Sequence, residues 1–137
     1  MLYAEIVSGL WIGEVDLMYN KKFLNDNLIT IVVNCTIDYQ FPEFPGIEKV
    51  RLPLSDNLYH NLDTFRQSKD KLLSFIDQAL DNHNILIVCY DGKTISPFLV
   101  SLYLIQYGGI TKENVRKIIQ SKNKDITMDF GVNLLNL

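Results

Sequence analysis

Cys89 is the residue of this chain best placed for nucleophilic chemistry. Upstream lies the apolar run ILIV (residues 85–88), and downstream lies YDGKTISP (residues 90–97). A strand, a glycine turn and a helix start, in that order, build a cradle for an anion. The turn curls so that successive N–H groups point inward. The helix then adds unpaired N–H groups and partial positive charge at its N-terminus. The cradle comprises Tyr90, Asp91, Gly92, Lys93, Thr94, Ile95 and Ser96. A cysteine at its foot is expected to have a lowered pKa, with its thiolate as nucleophile. The competing reading of Cys89 is a buried core thiol, a common place for free cysteine. Asp91 sets a negative charge close to where the anion would sit, and Lys93 offsets it only in part.

The flanking elements must hold this cradle. Residues 3–12 read as two short strands around Ser8-Gly9, and Asp16 as the N-cap of a helix through LMYNKKFLND. Residues 28–36 (LITIVVNCT) are uncharged and rich in β-branching, which suits a strand covered on both faces. Cys35 lies in that run and reads as core packing. A proline-bearing loop follows, and then EKVRLPLSD, where Val50, Leu52 and Leu54 share one face and Pro53 marks a strand end. A helix is expected from about Leu62–Asp63, with Phe65, Leu72, Leu73, Phe75, Ile76 and Leu80 at helical spacing. Ser96-Pro97 reads as an N-cap followed by proline at the first helical position. The helix it starts is apolar nearly all round, hence central, and ends at Gly108-Gly109. Thr111 caps a further helix, and a last short one covers DFGVNLLNL. Strands alternate with helices, so the fold class is α/β, with a mostly parallel central sheet flanked by helices.

Composition narrows the function classes. The chain has 137 residues, 47% of them hydrophobic, enough for one packed domain spanning residues 1–137. A net charge of -3 argues against sequence-independent nucleic-acid binding, which needs a basic face. No apolar run reaches membrane-spanning length, and the N-terminus lacks signal-peptide character. With two cysteines in unlike contexts, a disulfide framework is not expected, so the compartment is read as reducing, cytoplasmic or nuclear. Two histidines and two cysteines without close spacing make no metal site. No cofactor is implied.

Two known patterns can be tried on the cradle. DGKT has a superficial likeness to a nucleotide-binding P-loop, G-x-x-x-x-G-K-[ST], but the first glycine of that pattern would fall on Ile87. The second is H-C-x-x-G-x-x-R-[ST], the signature of cysteine-dependent protein tyrosine phosphatases, which this chain meets as V-C-Y-D-G-K-T-I-S (residues 88–96). Cysteine, glycine and serine are in place. GLWIG, VVNCT, LPLSDN, FIDQAL, GGIT and ITMDFGVNLLNL occur in the order that the small dual-specificity branch has. The whole chain thus resembles that family. The resemblance implies a general acid at Asp56, which could equally cap a turn. It also implies that the hydroxyl of Ser96 assists the sulfur.

The departures point away from turnover. The family's arginine, which grips phosphate oxygens through a bidentate fork, is Ile95 here, and the histidine before the cysteine is Val88. An arginine lost from a site of phosphoryl transfer costs roughly 10³–10⁵ in rate. Repulsion between Asp91 and a bound charge about 5–6 Å away is of order 3 kcal/mol at an effective dielectric near 20. The reading is a pseudophosphatase that binds a protein partner, phosphorylated or not. The alternatives are a weak or substrate-assisted phosphatase of tyrosine, serine or threonine using Cys89 and Asp56, and a scaffold whose pocket binds nothing. The oligomeric state is not readable from the sequence.

Overall fold

A computed structural model describes all residues, Met1–Leu137. Its strands are β1 (Tyr3–Val7), β2 (Leu10–Glu14), β3 (Ile29–Asn34), β4 (Glu48–Arg51) and β5 (Asn84–Cys89). Its helices are α1 (Lys21–Asp26), α2 (Leu62–Ala79), α3 (Ile95–Tyr107) and α4 (Lys112–Lys122). Short 3-10 turns occupy Val15–Tyr19, Leu58–Asn61 and Val132–Asn136. The five strands form one sheet in the order β1-β2-β5-β3-β4. Only β1 and β2 are antiparallel; every other pair is parallel.

The apolar runs are explained by burial on both faces. Along β5, Ile85, Ile87 and Cys89 join one core cluster, while Leu86 and Val88 join another on the opposite face. β3 divides likewise, Ile31 and Val33 from Val32. Helices α2, α3 and α4 supply the larger core, and α1 with the first 3-10 turn supplies the smaller. A strand covered on both sides has no polar face, hence the unbroken β-branched sequence. Helix α3 buries ten consecutive residues, Ile95 through Leu104, which accounts for its near lack of a polar side. No helix is long and apolar enough to cross a membrane.

Two expected helix starts shift, and one expected helix takes another form. Asp16 caps nothing; it lies in the first 3-10 turn, and Asn20 is the N-cap of α1, accepting the Phe23 N–H at 3.0 Å. The N-cap of α3 is Thr94 rather than Ser96, so Ser96 and Pro97 stand inside the first turn. There the missing proline N–H is one of the unpaired donors in any case. The C-terminal segment forms a 3-10 turn, not an α-helix.

Candidate functional site

The carboxyl ends of β2, β3, β4 and β5 meet at one edge of the sheet, and the segments leaving them form the site. β5 is the central strand, so Cys89 emerges between β2 and β3. Crevices of open parallel sheets form at such ends. Residues 90–94 then turn over the end of β2. Gly92 has φ +73, and a Cβ there would stand 2.7 Å from the Glu14 backbone nitrogen. Glycine is required for both the conformation and the close approach. The carbonyl of Lys93 ties the loop to the C-terminal segment by accepting the Met128 N–H at 3.1 Å.

The sulfur of Cys89 is buried, with 1% exposure. The Ser96 N–H donates to Sγ at 3.3 Å, and the thiol lies 3.3 Å from Ser96 Oγ. Asp91 turns back over its own loop. Its Oδ1 accepts the Lys93 N–H at 2.9 Å and stands 4.0 Å from Sγ. The Lys93 N–H is therefore already held by an internal carboxylate. Asp91 and Lys93 are exposed, Tyr90 and Thr94 half-buried, and Gly92, Ile95 and Ser96 buried.

These contacts reverse the expected activation of the thiol. Burial pushes the Cys89 pKa up, and this outweighs the lowering by both hydrogen bonds from Ser96. The Asp91 charge raises it further, and the Gly92 N–H lowers it. The Ser96 and Gly92 N–H groups favour the thiolate, yet the sulfur lies deep enough that desolvation dominates. Cys35, also fully buried, is pushed well above the ordinary thiol range by burial and then by Cys89.

Neither departure from the signature leaves a polar group at the sulfur. Ile95 is 3% exposed and belongs to the larger core. Val88 is fully buried on the other face of the sheet, away from Cys89. The chain's three arginines are Arg51, Arg66 and Arg116. Arg51 donates to the carbonyls of Thr36 at 2.8 Å and Tyr39 at 2.9 Å, Arg66 pairs with Asp63, and Arg116 donates to the carbonyls of Thr127 and Phe130. All three are engaged elsewhere.

Asp56 lies on the segment after β4 and lines a cleft of about 420 Å³ with Ile37, Asp38, Ser55 and Tyr90. The structure thus brings Asp56 to the same crevice as the cradle residue Tyr90. It does not cap the neighbouring turn. Asn57 does so, accepting the Tyr59 N–H at 2.9 Å and the His60 N–H at 3.3 Å. What holds the Asp56 segment is Asn61, buried at 5% exposure. Its Oδ1 accepts from Ser55 N–H and Oγ, and its Nδ2 donates to the Ser55 carbonyl at 2.8 Å. The facing segment, residues 36–39, is held by Arg51 and by Asn34, whose Nδ2 donates to the Tyr39 carbonyl at 2.9 Å. Tyr90 ties the loop after β5 to residues 36–39. Its hydroxyl donates to Asp38 at 2.6 Å and accepts the Ile37 N–H at 3.2 Å. Its pKa is raised by burial, then by the hydrogen bond to Asp38 and the charges of Asp38 and Asp56. Sequence reasoning missed Asn61, Asn34, Arg51 and Tyr90 as positioning residues. The usable signal was polar residues inside or beside otherwise apolar runs. Tyr90 also lines a larger polar cleft, about 750 Å³, with Glu14, Asp91, Lys93, Lys124 and Asp125.

Comparison with known proteins gives one consistent match. The family model "Dual specificity phosphatase, catalytic domain" matches residues 10–135. The chain is 28% identical over 127 residues to dual specificity protein phosphatase 1B of Arabidopsis thaliana, covering 87% of this chain and 70% of the plant protein. It spans only 53% of the human and bovine dual specificity protein phosphatase 14. Among solved structures, human DUSP28 superposes with a TM-score of 0.83 at 17% identity, covering 98% of this chain and 90% of that one. A human tyrosine phosphatase-like serine/threonine/tyrosine-interacting protein superposes with a TM-score of 0.79 at 18% identity, covering 98% and 93%. At such identities the structural likeness speaks for the fold.

Proposed function

The chain belongs to the dual specificity phosphatase family, and from that premise we propose that it is a pseudophosphatase, binding a protein partner with little or no turnover. The observation that carries this reading is the position of the signature arginine. It is Ile95, buried in the apolar core, and no other guanidinium replaces it. A phosphoryl group undergoing transfer needs charge stabilisation on its equatorial oxygens. Here a charge of the wrong sign lies close to the sulfur, with Asp91 Oδ1 at 4.0 Å. The raised thiol pKa supports the same reading, because the thiolate is the nucleophile. Residues 90–96 are then a vestigial phosphate loop, with Cys89 and Asp56 the vestigial nucleophile and acid. The two free cysteines favour a reducing compartment, cytoplasm or nucleus, for this work.

A second reading, a weak phosphatase, draws on the two Ser96 contacts to Sγ, which would steady a thiolate once formed. Hydrolysis of an aryl phosphate, measured beside an active family member, separates the two. The pseudophosphatase reading expects wild type and Cys89→Ser to be indistinguishable. It also expects gain of turnover in a triple variant with Ile95→Arg, Val88→His and Asp91→Ala. Cys89-dependent turnover by wild type at the active member's rate would overturn it.

A further inference from the structure

The rim beside Tyr90 carries carboxylates without counter-ions and an aliphatic side chain held out in solvent. Ile37 is 59% exposed. Its backbone is nevertheless pinned, by the Tyr90 hydroxyl at 3.2 Å and by the Arg51 guanidinium, which also holds Thr36 and Tyr39. Tyr39, 38% exposed, meets the Tyr90 ring edge-on at 5.9 Å. An apolar side chain presented by a rigid segment loses little freedom on binding, which favours its use as a contact. Asp38 and Asp56 line the cleft of about 420 Å³ beside it. Neither forms an ion pair; the chain's three side-chain ion pairs lie elsewhere. The charge is thus opposite to what a phosphate requires and complementary to a cation.

Resting on the reading that this pocket works by binding, we propose that the cleft docks an extended cationic segment of an unphosphorylated protein partner. A Lys or Arg side chain enters between Asp38 and Asp56, and an apolar neighbour lies against Ile37 and Tyr39. Charge complementarity selects this occupant over a phosphorylated one. It also disfavours a second copy of the chain, whose own net charge is -3.

Calorimetric titration of the full chain with three synthetic peptides tests this: one alternating Arg and Leu, one alternating Glu and Leu, and one phosphotyrosyl peptide. The first should bind, and weaken as salt rises. Asp38→Asn with Asp56→Asn should weaken it about tenfold, the loss of two solvent-screened pairs. Both changes keep an acceptor oxygen, so thermal melting should be unchanged. Ile37→Ser should weaken binding severalfold. Equal or tighter binding of the Glu or phosphotyrosyl peptide would overturn the proposal. So would Arg–Leu binding that ignores the Asp38/Asp56 change. No Arg–Leu binding, in a chain that also lacks aryl phosphate turnover, removes the docking surface and leaves the pseudophosphatase reading intact. Arg–Leu binding together with Cys89-dependent turnover upholds the surface and overturns that reading.

Discussion

Replacing Asp91 by Asn removes a charge from in front of the sulfur while keeping the oxygen that accepts the Lys93 N–H at 2.9 Å. The loop should therefore hold its shape, and the change should be electrostatic. Unit charges 4.0 Å apart, the separation of Asp91 Oδ1 from Sγ, repel by about 4 kcal/mol at an effective dielectric of 20 and about 1 kcal/mol in water. Asp91 is exposed, and its influence on the thiol ranks behind burial and both Ser96 hydrogen bonds, so the lower figure applies. About 1 kcal/mol corresponds to a roughly fivefold larger thiolate fraction at any pH below the titration midpoint. The assay is ultraviolet absorbance of the thiolate against pH, with Cys89→Ser as the blank. Cys35 stays out of the way because burial holds its pKa well above the ordinary range. The Asn variant should titrate at lower pH than wild type. Coincident curves, or a shift to higher pH, would refute the assignment of Asp91 as a charge set against the thiolate.

Other expectations follow from the same geometry. The Tyr103 hydroxyl donates to Asp77 at 2.9 Å, and burial with that bond pushes its pKa up from 10.0 to about 12. Between those values the folded state keeps a proton that the unfolded chain gives up. Stability is therefore intact below about pH 10 and falls as pH rises toward 12, by about 1 kcal/mol after solvent screening of the partly exposed hydroxyl; Tyr103→Phe should flatten this fall in urea midpoints measured across that range. Asn61→Ala deletes three hydrogen bonds to Ser55 and should lower stability by roughly 2–3 kcal/mol in urea unfolding. Gly92→Ala forces a side chain into φ +73 and against the Glu14 backbone; it should cost about 1–3 kcal/mol for conformation alone, read in the same way.

What was legible in the sequence was whatever depends on periodicity. Unbroken apolar runs located β3 and β5 because both strands are covered on both faces. Helical spacing located α2 from Leu62, and Pro53 marked the end of β4, which stops at Arg51. Helix caps were only partly legible: Thr111 caps α4 as expected, but the caps of α1 and α3 lie at neighbouring polar residues. Asn20 prevails over Asp16, and Thr94 over Ser96. Ser96 stands inside the first turn of α3, where its N–H donates to the sulfur. The thiol's pKa was misjudged because a strand–turn–helix pattern reveals the donors of a nest but not the depth of the atom beneath it. Burial to 1% exposure decided that balance. The polar clamps at Ser55 and Tyr39 were illegible for a related reason. The Arg51 bonds join segments 12 and 15 residues apart, which meet only once the sheet has formed, and the Asn61 and Asn34 bonds depend on local turn geometry that side-chain periodicity does not report.

The central claim, that the frame of a cysteine phosphatase survives here without its chemistry, is tested most directly by steady-state hydrolysis of an aryl phosphate by the wild-type chain against Cys89→Ser. Equal residual rates in the two proteins are expected, since burial keeps the thiol protonated and no guanidinium reaches it. A wild-type rate that depends on Cys89 and matches that of an active family member would contradict the account.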